Sequence, residues 1–136
     1  MTPTAMQSIT TFAPIGARLT LGLIFTVFGL NGFLHFIPMP PPEGVAAEFM
    51  GGLAATGYFF PMLSLTQVLV GLALLSNRFT ALALVVLAPL TVNIVAFHSV
   101  APDGMPLALV VLALHLCLAW HLRAAFRPLL ATQVQA

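Results

Sequence analysis

The sequence contains very little charge. Only 5% of its 136 residues are charged, and the ionised side chains comprise four arginines and three acids, with no lysine. Soluble domains carry about 25% charged residues, so this composition excludes an ordinary water-soluble surface. The net charge of +1 supplies no basic surface for a polyanion, which argues against nucleic-acid binding.

Cysteine is almost absent. The single cysteine is Cys117, so the chain can form no internal disulfide and has no Cys-x-x-Cys pair. This excludes dithiol chemistry of the kind used by membrane enzymes that make disulfides, and it excludes a metal cluster held by cysteines alone.

Hydrophobic residues make up 60% of the chain, more than a small soluble fold can bury, since a chain of this size leaves about a third of its unfolded surface exposed. We therefore expect lipid as the solvent. Stretches of about 20 apolar residues mark membrane spans, and four such spans are predicted: residues 15–37, 58–76, 79–98 and 106–122. The fold class predicted is an all-α membrane protein, a four-transmembrane-helix bundle in which residues 1–136 form a single transmembrane domain.

The first loop between spans is long enough for structure of its own. Val45, Phe49 and Leu53 recur at helical spacing, which predicts a short extra helix on or dipping into the outer membrane surface.

The charges indicate an orientation. With four spans, all the arginines fall on one side of the membrane and all the acids on the other. The arginines are Arg18, Arg78, Arg123 and Arg127, and the acids are Glu43, Glu48 and Asp103. Basic residues favour the cytoplasmic side, so we expect a multi-pass protein of a bacterial inner membrane with both termini in the cytoplasm.

Polar side chains within the spans are costly and therefore informative. Several of them cluster toward the predicted outer half, where they could line an outward-facing pocket with aromatic and methionine walls. The candidate ligand-binding residues are Asn31, His35, Glu48, Gln67, Asn93, His98 and His115. Such a pocket suits an apolar ligand with polar ends, such as a quinone, with which His35 or His98 could exchange a proton.

Some of these candidates are related by helical geometry. Asn31 and His35, four residues apart, share a face, whereas Asn93 and His98, five apart, lie about 140° apart on a regular helix. Asn93 is therefore a weaker candidate than His98. An imidazole in the middle of a span needs a partner, and Gln67 is the partner predicted for His115.

The same residues also have a structural interpretation. Membrane-embedded amides commonly join neighbouring helices, interfacial histidines can simply reach water, and Glu48 can be an ordinary solvated acid. A stripe of small residues that includes Gly22 and Gly29 predicts a face of the first helix where another backbone approaches closely.

Metal and haem sites are disfavoured. His35, Glu48 and His98 are suitable zinc or copper ligands by type, but no tight spacing motif supports such a site. His35 with His98 could ligate haem iron, but their interfacial depth and the lack of small residues beside them argue against it. An ion channel or proton-coupled pump is also disfavoured, because no acid lies inside a predicted span.

Several motifs together resemble a known family. The stretches "RLTLGLIFTVFGLNGFLHF", "PMPPPEG", "FMGGLAATGYFFP" and "LTVNIVAFH" are similar to the DoxX-like family of small four-helix bacterial membrane proteins, over roughly residues 15–130. The family is named after a subunit of an archaeal thiosulfate:quinone oxidoreductase, so the resemblance implies a role in membrane redox complexes. Asn31, His35, Asn93 and His98 match its recurring positions, and no catalytic residue carries over.

Three functions remain open from the sequence. The first is an accessory or quinone-interacting subunit of a membrane oxidoreductase, with a partner redox subunit. The second is a non-redox binding protein or carrier for a lipid-like molecule, and the third is a structural scaffold subunit. Self-association into a homo-oligomer is compatible with all three, and the sequence leaves open whether the chain catalyses a reaction.

Overall fold

The computed structural model describes residues 3–133, with side chains from residue 12 onward. This part of the chain is helical and contains no strand. Its main helices are α1 (Pro3–Leu34), α2 (Gly44–Ala55), α3 (Phe59–Leu75), α4 (Thr80–Val100) and α5 (Met105–His121). Two short 3-10 turns (Pro102–Gly104 and Arg127–Leu130) and the one-turn helix α6 (Arg123–Phe126) complete it. Residues 1–2 and 134–136, which the predicted single domain included, lie outside the described residues.

The helices occupy all four predicted apolar stretches, and α2 fills the first long loop as expected. The largest difference is at α1, which begins at Pro3 rather than near residue 15 and ends at Leu34 rather than at residue 37. The apolar part of α1 is Phe12–Leu34, so the extra turns precede the predicted span.

Three helices are followed by a residue in the left-handed conformation, as helix C-termini often are: His35 after α1, Gly57 after α2 and Asn77 after α3. His35 follows α1 with φ of 52°, and its N–H donates to the Asn31 carbonyl at 2.9 Å. After α3, Asn77 has φ of 56° and donates to Leu74, while Arg78 donates to Ala73, at 3.2 and 3.0 Å. These bonds form a Schellman motif, which reverses the chain into α4.

Helices α1 and α3 pack antiparallel and very close. A Cβ atom added at Gly29 would lie 2.8 Å from the backbone nitrogen of Val68, and one added at Gly22 would lie 3.1 Å from the Gly71 carbonyl oxygen. Only glycine allows this approach at Gly29, because the opposing atom is backbone and cannot rotate away. The predicted small-residue face is thus confirmed, with α3 as its partner.

The apolar core is formed jointly by α1, α3, α4 and α5. Its most deeply buried large side chains have at most 2% of their surface exposed: Phe25, Leu21, Leu74, Leu84, Leu87 and Leu118. They come from all four long helices, so one core joins the two helical hairpins.

Most of the apolar surface faces outward. In the apolar windows of α1, α4 and α5, only 28%, 22% and 22% of the residues are buried, and large side chains such as Leu23, Leu69, Val92 and Leu116 are 57–67% exposed. Helices α1 and α4 are long and apolar enough to cross a membrane, and so is α5 when the preceding 3-10 turn is included (Pro102–His121). Helix α3 qualifies when it is taken together with α2, from which it bends by 92°, so the count is three or up to four.

Candidate functional site

The two ends of the helical bundle differ in charge. The connection between α1 and α3 and that between α4 and α5 carry Glu43, Glu48 and Asp103, and we call this the acidic end. The opposite end, the arginine end, carries Arg18, Arg78, Arg123 and Arg127.

At the acidic end, aromatic rings join α2 to α4. The ring centroids of Phe49 and Phe97 lie 5.7 Å apart, and the imidazole of His98 lies 5.3 Å from Phe97 in an edge-to-face arrangement. Both geometries are favourable for aromatic pairs. The half-buried His98 thus lies beside an aromatic contact that holds α2 against the end of α4.

The tautomer of neutral His98 is fixed by its backbone partner. Its Nδ1 lies 2.7 Å from the carbonyl oxygen of Ile94, and a carbonyl can only accept a hydrogen bond, so Nδ1 carries the proton. The other nitrogen, Nε2, is then an acceptor. No buried side-chain nitrogen or oxygen in the described part is left unpartnered, and His98 has no second hydrogen bond among these residues, so Nε2 reaches the molecular surface beside Gly104.

Asn31 has an internal partner. It is 8% exposed, and its Oδ1 accepts a hydrogen bond from the backbone N–H of Ile37 at 2.6 Å. This bond fixes the first residues of the proline-rich loop just after α1 has ended. The amide therefore shapes the loop, which agrees with the structural interpretation of its burial.

His115 is buried and paired, although its partner differs from the predicted one. Its Nδ1 lies 2.9 Å from Oγ1 of Thr91, in the middle of α4, whereas Gln67 of α3 lies against Gly29 of α1. The prediction of a His115–Gln67 pair was wrong because α5 packs mainly against α4 and α1. The pair joins α4 to α5 within the core.

The remaining candidates do not join this arrangement. His35, Glu48 and Asn93 are exposed, and Asn93 lies on a different face of the regular helix α4 from His98, as the spacing predicts. In the part of the chain that the structure describes, no three His, Cys, Asp or Glu side chains lie close enough together to hold a metal ion. The structure thus brings His98 together with aromatic side chains, whereas Asn31 and His115 have partners of their own elsewhere.

Two open clefts lie away from all seven candidates. One runs along α5 beside Cys117 and Trp120. The other, about 500 Å³, lies at the arginine end between α1, the start of α4 and the end of α5. We call it the arginine-end cleft, and its lining residues are Pro14, Ile15, Arg18, Asn77, Thr80, Leu118, His121 and Leu122.

The sequence analysis missed Arg18, Asn77 and Thr80 as members of one site. A signal was present, since all three lie near the ends of predicted spans on the same side. The sequence does not show how each helix is rotated about its own axis. This rotation decides whether Arg18 and His121 face each other or the exterior.

No protein-family model, curated protein or solved structure matches this chain. The DoxX-like resemblance therefore stays a prediction from the sequence, and functional arguments depend on the geometry described above.

Proposed function

We propose that this chain is a four-span integral membrane protein of the DoxX-like type that binds a quinone-class molecule at its acidic end, as an accessory subunit of a membrane oxidoreductase. Both termini and the arginine end face the cytoplasm, and the acidic end faces outward. Lipid surrounds the exposed side chains of the long helices, and α2 lies along the outer interface.

The span count depends on α3. Its 17 residues extend about 25 Å at ~1.5 Å per residue, somewhat short of the ~30 Å hydrocarbon core. However, α3 lies antiparallel along α1, from Ser64 opposite Gly32 to Gly71 opposite Gly22. Because α3 runs alongside an apolar helix for this distance, a full crossing is favoured over a re-entrant loop.

The observation that carries the ligand proposal is the fixed tautomer of His98. A neutral imidazole whose Nδ1–H is occupied by Ile94 presents Nε2 as an acceptor at the surface, beside the rings of Phe97 and Phe49. A quinol offers a hydroxyl donor on an apolar ring, so it matches both parts of this arrangement. Because Nε2 is an acceptor, it can also take up one of the two protons that the quinol releases when the partner oxidoreductase withdraws its two electrons.

Quinol binding can be tested on the purified protein in detergent. We expect decyl-benzoquinol to bind in isothermal titration calorimetry, and His98→Ala to weaken binding roughly fivefold, the value of one ordinary hydrogen bond. His121→Ala, at the opposite end, is the matched control and should bind as the parent protein does. Absence of quinol binding to the parent protein, or equal losses in both variants, would contradict the proposal.

A second variant separates the role of the ring from that of folding. A Cβ atom at Gly104 would meet the imidazole of His98, so Gly104→Ala should displace the ring without removing it. We expect this variant to retain the helical content of the parent protein and to bind quinol more weakly.

A scaffold function is the second candidate, and the internal hydrogen bonds of Asn31 and His115 favour it. On that account every buried polar group serves helix packing, and no small molecule binds. The calorimetric experiment distinguishes the two candidates, because a scaffold binds neither quinol nor quinone.

A further inference from the structure

The arginine-end cleft combines a cation with an apolar wall. Arg18, Asn77, Thr80 and His121 supply polar groups, exposed Ile15 and half-buried Leu122 supply apolar surface, and the buried Leu118 forms the floor. The quinone proposal does not use this cleft. The question is which ligand fits a cationic recess at the end of a lipid-surrounded bundle.

Arg18 is held in place by the end of α3. One guanidinium nitrogen, NH1, donates to the carbonyl of Leu74 and, at 3.2 Å, to that of Leu75. A guanidinium has five N–H donors, so Nε and NH2 keep three that have no partner among the described residues. Since no buried side-chain nitrogen is unpartnered there, these donors reach the surface of the cleft.

The cleft remains positive after the contribution of α3 is included. The C-termini of α3 and α5 each carry roughly half a negative charge and the N-terminus of α4 carries roughly half a positive charge, so together they offset only part of the charge on Arg18. Every acid in the chain lies at the acidic end. Among the described residues, Arg18 therefore has a fixed position, unused donors and no neighbouring carboxylate side chain, and an anion is the ligand that complements these features.

The other polar groups suit a phosphate. The Thr80 hydroxyl is only weakly engaged, at 3.4 Å from Oδ1 of Asn77, so both side chains can turn toward an anion. His121 also lines the cleft and is exposed. A guanidinium and several neutral donors are a usual set for a phosphodiester, and exposed Ile15 and half-buried Leu122 offer contact for an acyl chain.

We infer that the arginine-end cleft binds the headgroup of an anionic phospholipid from the cytoplasmic leaflet. The inference rests on the membrane placement in the proposed function and is independent of quinone binding. It assigns to Arg18 a function beyond its bonds to α3, as the anchor for one specific lipid.

Native mass spectrometry of the purified protein in a non-ionic detergent tests this inference. Phosphatidylglycerol and phosphatidylcholine with identical acyl chains are titrated separately. We expect one tightly retained phosphatidylglycerol, with an affinity about fivefold above that for phosphatidylcholine, the size of effect that one cation has near an anionic surface. Equal affinities for the two lipids would overturn the inference.

Variants locate the site. Arg18→Gln should abolish the preference, whereas Arg127→Gln, which removes the same charge at the same end but outside the cleft, should keep it. Equal losses in both variants would show a general cationic surface rather than a site.

Because Arg18→Gln also removes bonds to α3, Asn77→Gly combined with Thr80→Val provides a second test that leaves Arg18 in place. Glycine tolerates the positive φ of Asn77, and this pair should weaken the preference in a folded protein; an unchanged preference would contradict the inference.

A soluble anion must be distinguished from a lipid. Glycerol 3-phosphate carries the same phosphate chemistry without acyl chains, so we expect it not to displace bound phosphatidylglycerol. Displacement at concentrations comparable to that of the lipid would assign the cleft to a soluble phosphate compound and overturn the lipid assignment.

Discussion

The α1–α3 and α4–α5 pairs are joined in different ways. Between α1 and α3, glycines let the backbones approach until a single added Cβ atom would collide with the opposing chain. Between α4 and α5, a buried hydrogen bond joins Thr91 to His115 within an apolar contact. In lipid, helices cannot rely on the hydrophobic effect to associate, and close packing and interhelical hydrogen bonds are the two alternatives. The α1–α3 pair uses close packing, and the α4–α5 pair uses an interhelical hydrogen bond.

The largest effect is expected where the backbones are closest. Gly29→Ala places a methyl group 2.8 Å from the backbone nitrogen of Val68, so α1 and α3 must separate, at a cost of about 1–3 kcal/mol typical of overpacking. Reversible unfolding in mixed micelles measures this loss. Gly16→Ala is the matched control, because a Cβ atom at Gly16 meets nothing within 4 Å, and it should be neutral or stabilising by up to about 1 kcal/mol. Equal effects of the two substitutions would contradict the close approach.

A smaller effect is expected for the buried amide at the end of α1. Asn31→Leu removes the acceptor for the Ile37 N–H and should cost about 1–2 kcal/mol, the penalty for leaving a part-buried donor unpaired. The same change at exposed Asn93 should cost nothing and can stabilise the bundle, because it removes an amide from lipid. Unfolding of the two variants in parallel measures the difference, and a larger loss at Asn93 would mean that this face is not exposed to lipid.

The smallest effect is expected for the bond between α4 and α5. A double-mutant cycle with Thr91→Val and His115→Leu should give a coupling energy of about 0.6 kcal/mol, the average for interhelical hydrogen bonds in a membrane protein. The cycle is completed by unfolding both single variants and the double variant under the same conditions. A coupling indistinguishable from zero would mean that apolar packing alone joins these helices.

The sequence was most informative about the positions of the helices. Apolar stretches and the breakers between them predicted α3, α4 and α5 closely, because a run of about 20 apolar residues has few alternatives to a helix. It was less accurate at the ends of α1, since the turns before Phe12 carry no apolar periodicity. The stop at Leu34 depends on a left-handed residue, His35, that is not glycine and so gave no strong signal.

The candidate site was harder to predict than the helices. Helical spacing correctly separated Asn93 from His98, because both lie on one regular helix. It failed for His115, because choosing between Thr91 and Gln67 required knowledge of which helices are neighbours. The same lack of neighbour information hid the arginine-end cleft, whose polar residues come from three separate segments.

The central claim is that four helices cross the membrane and place the arginine end in the cytoplasm. Its most direct test is cysteine accessibility in intact cells, in a Cys117→Ser background, with single cysteines introduced by Glu43→Cys, Ser76→Cys and Asp103→Cys. The account predicts that a membrane-impermeant maleimide labels Glu43→Cys and Asp103→Cys from outside and labels Ser76→Cys only after the cells are opened. Labelling of Ser76→Cys in intact cells would make α2 and α3 a re-entrant loop and contradict the account.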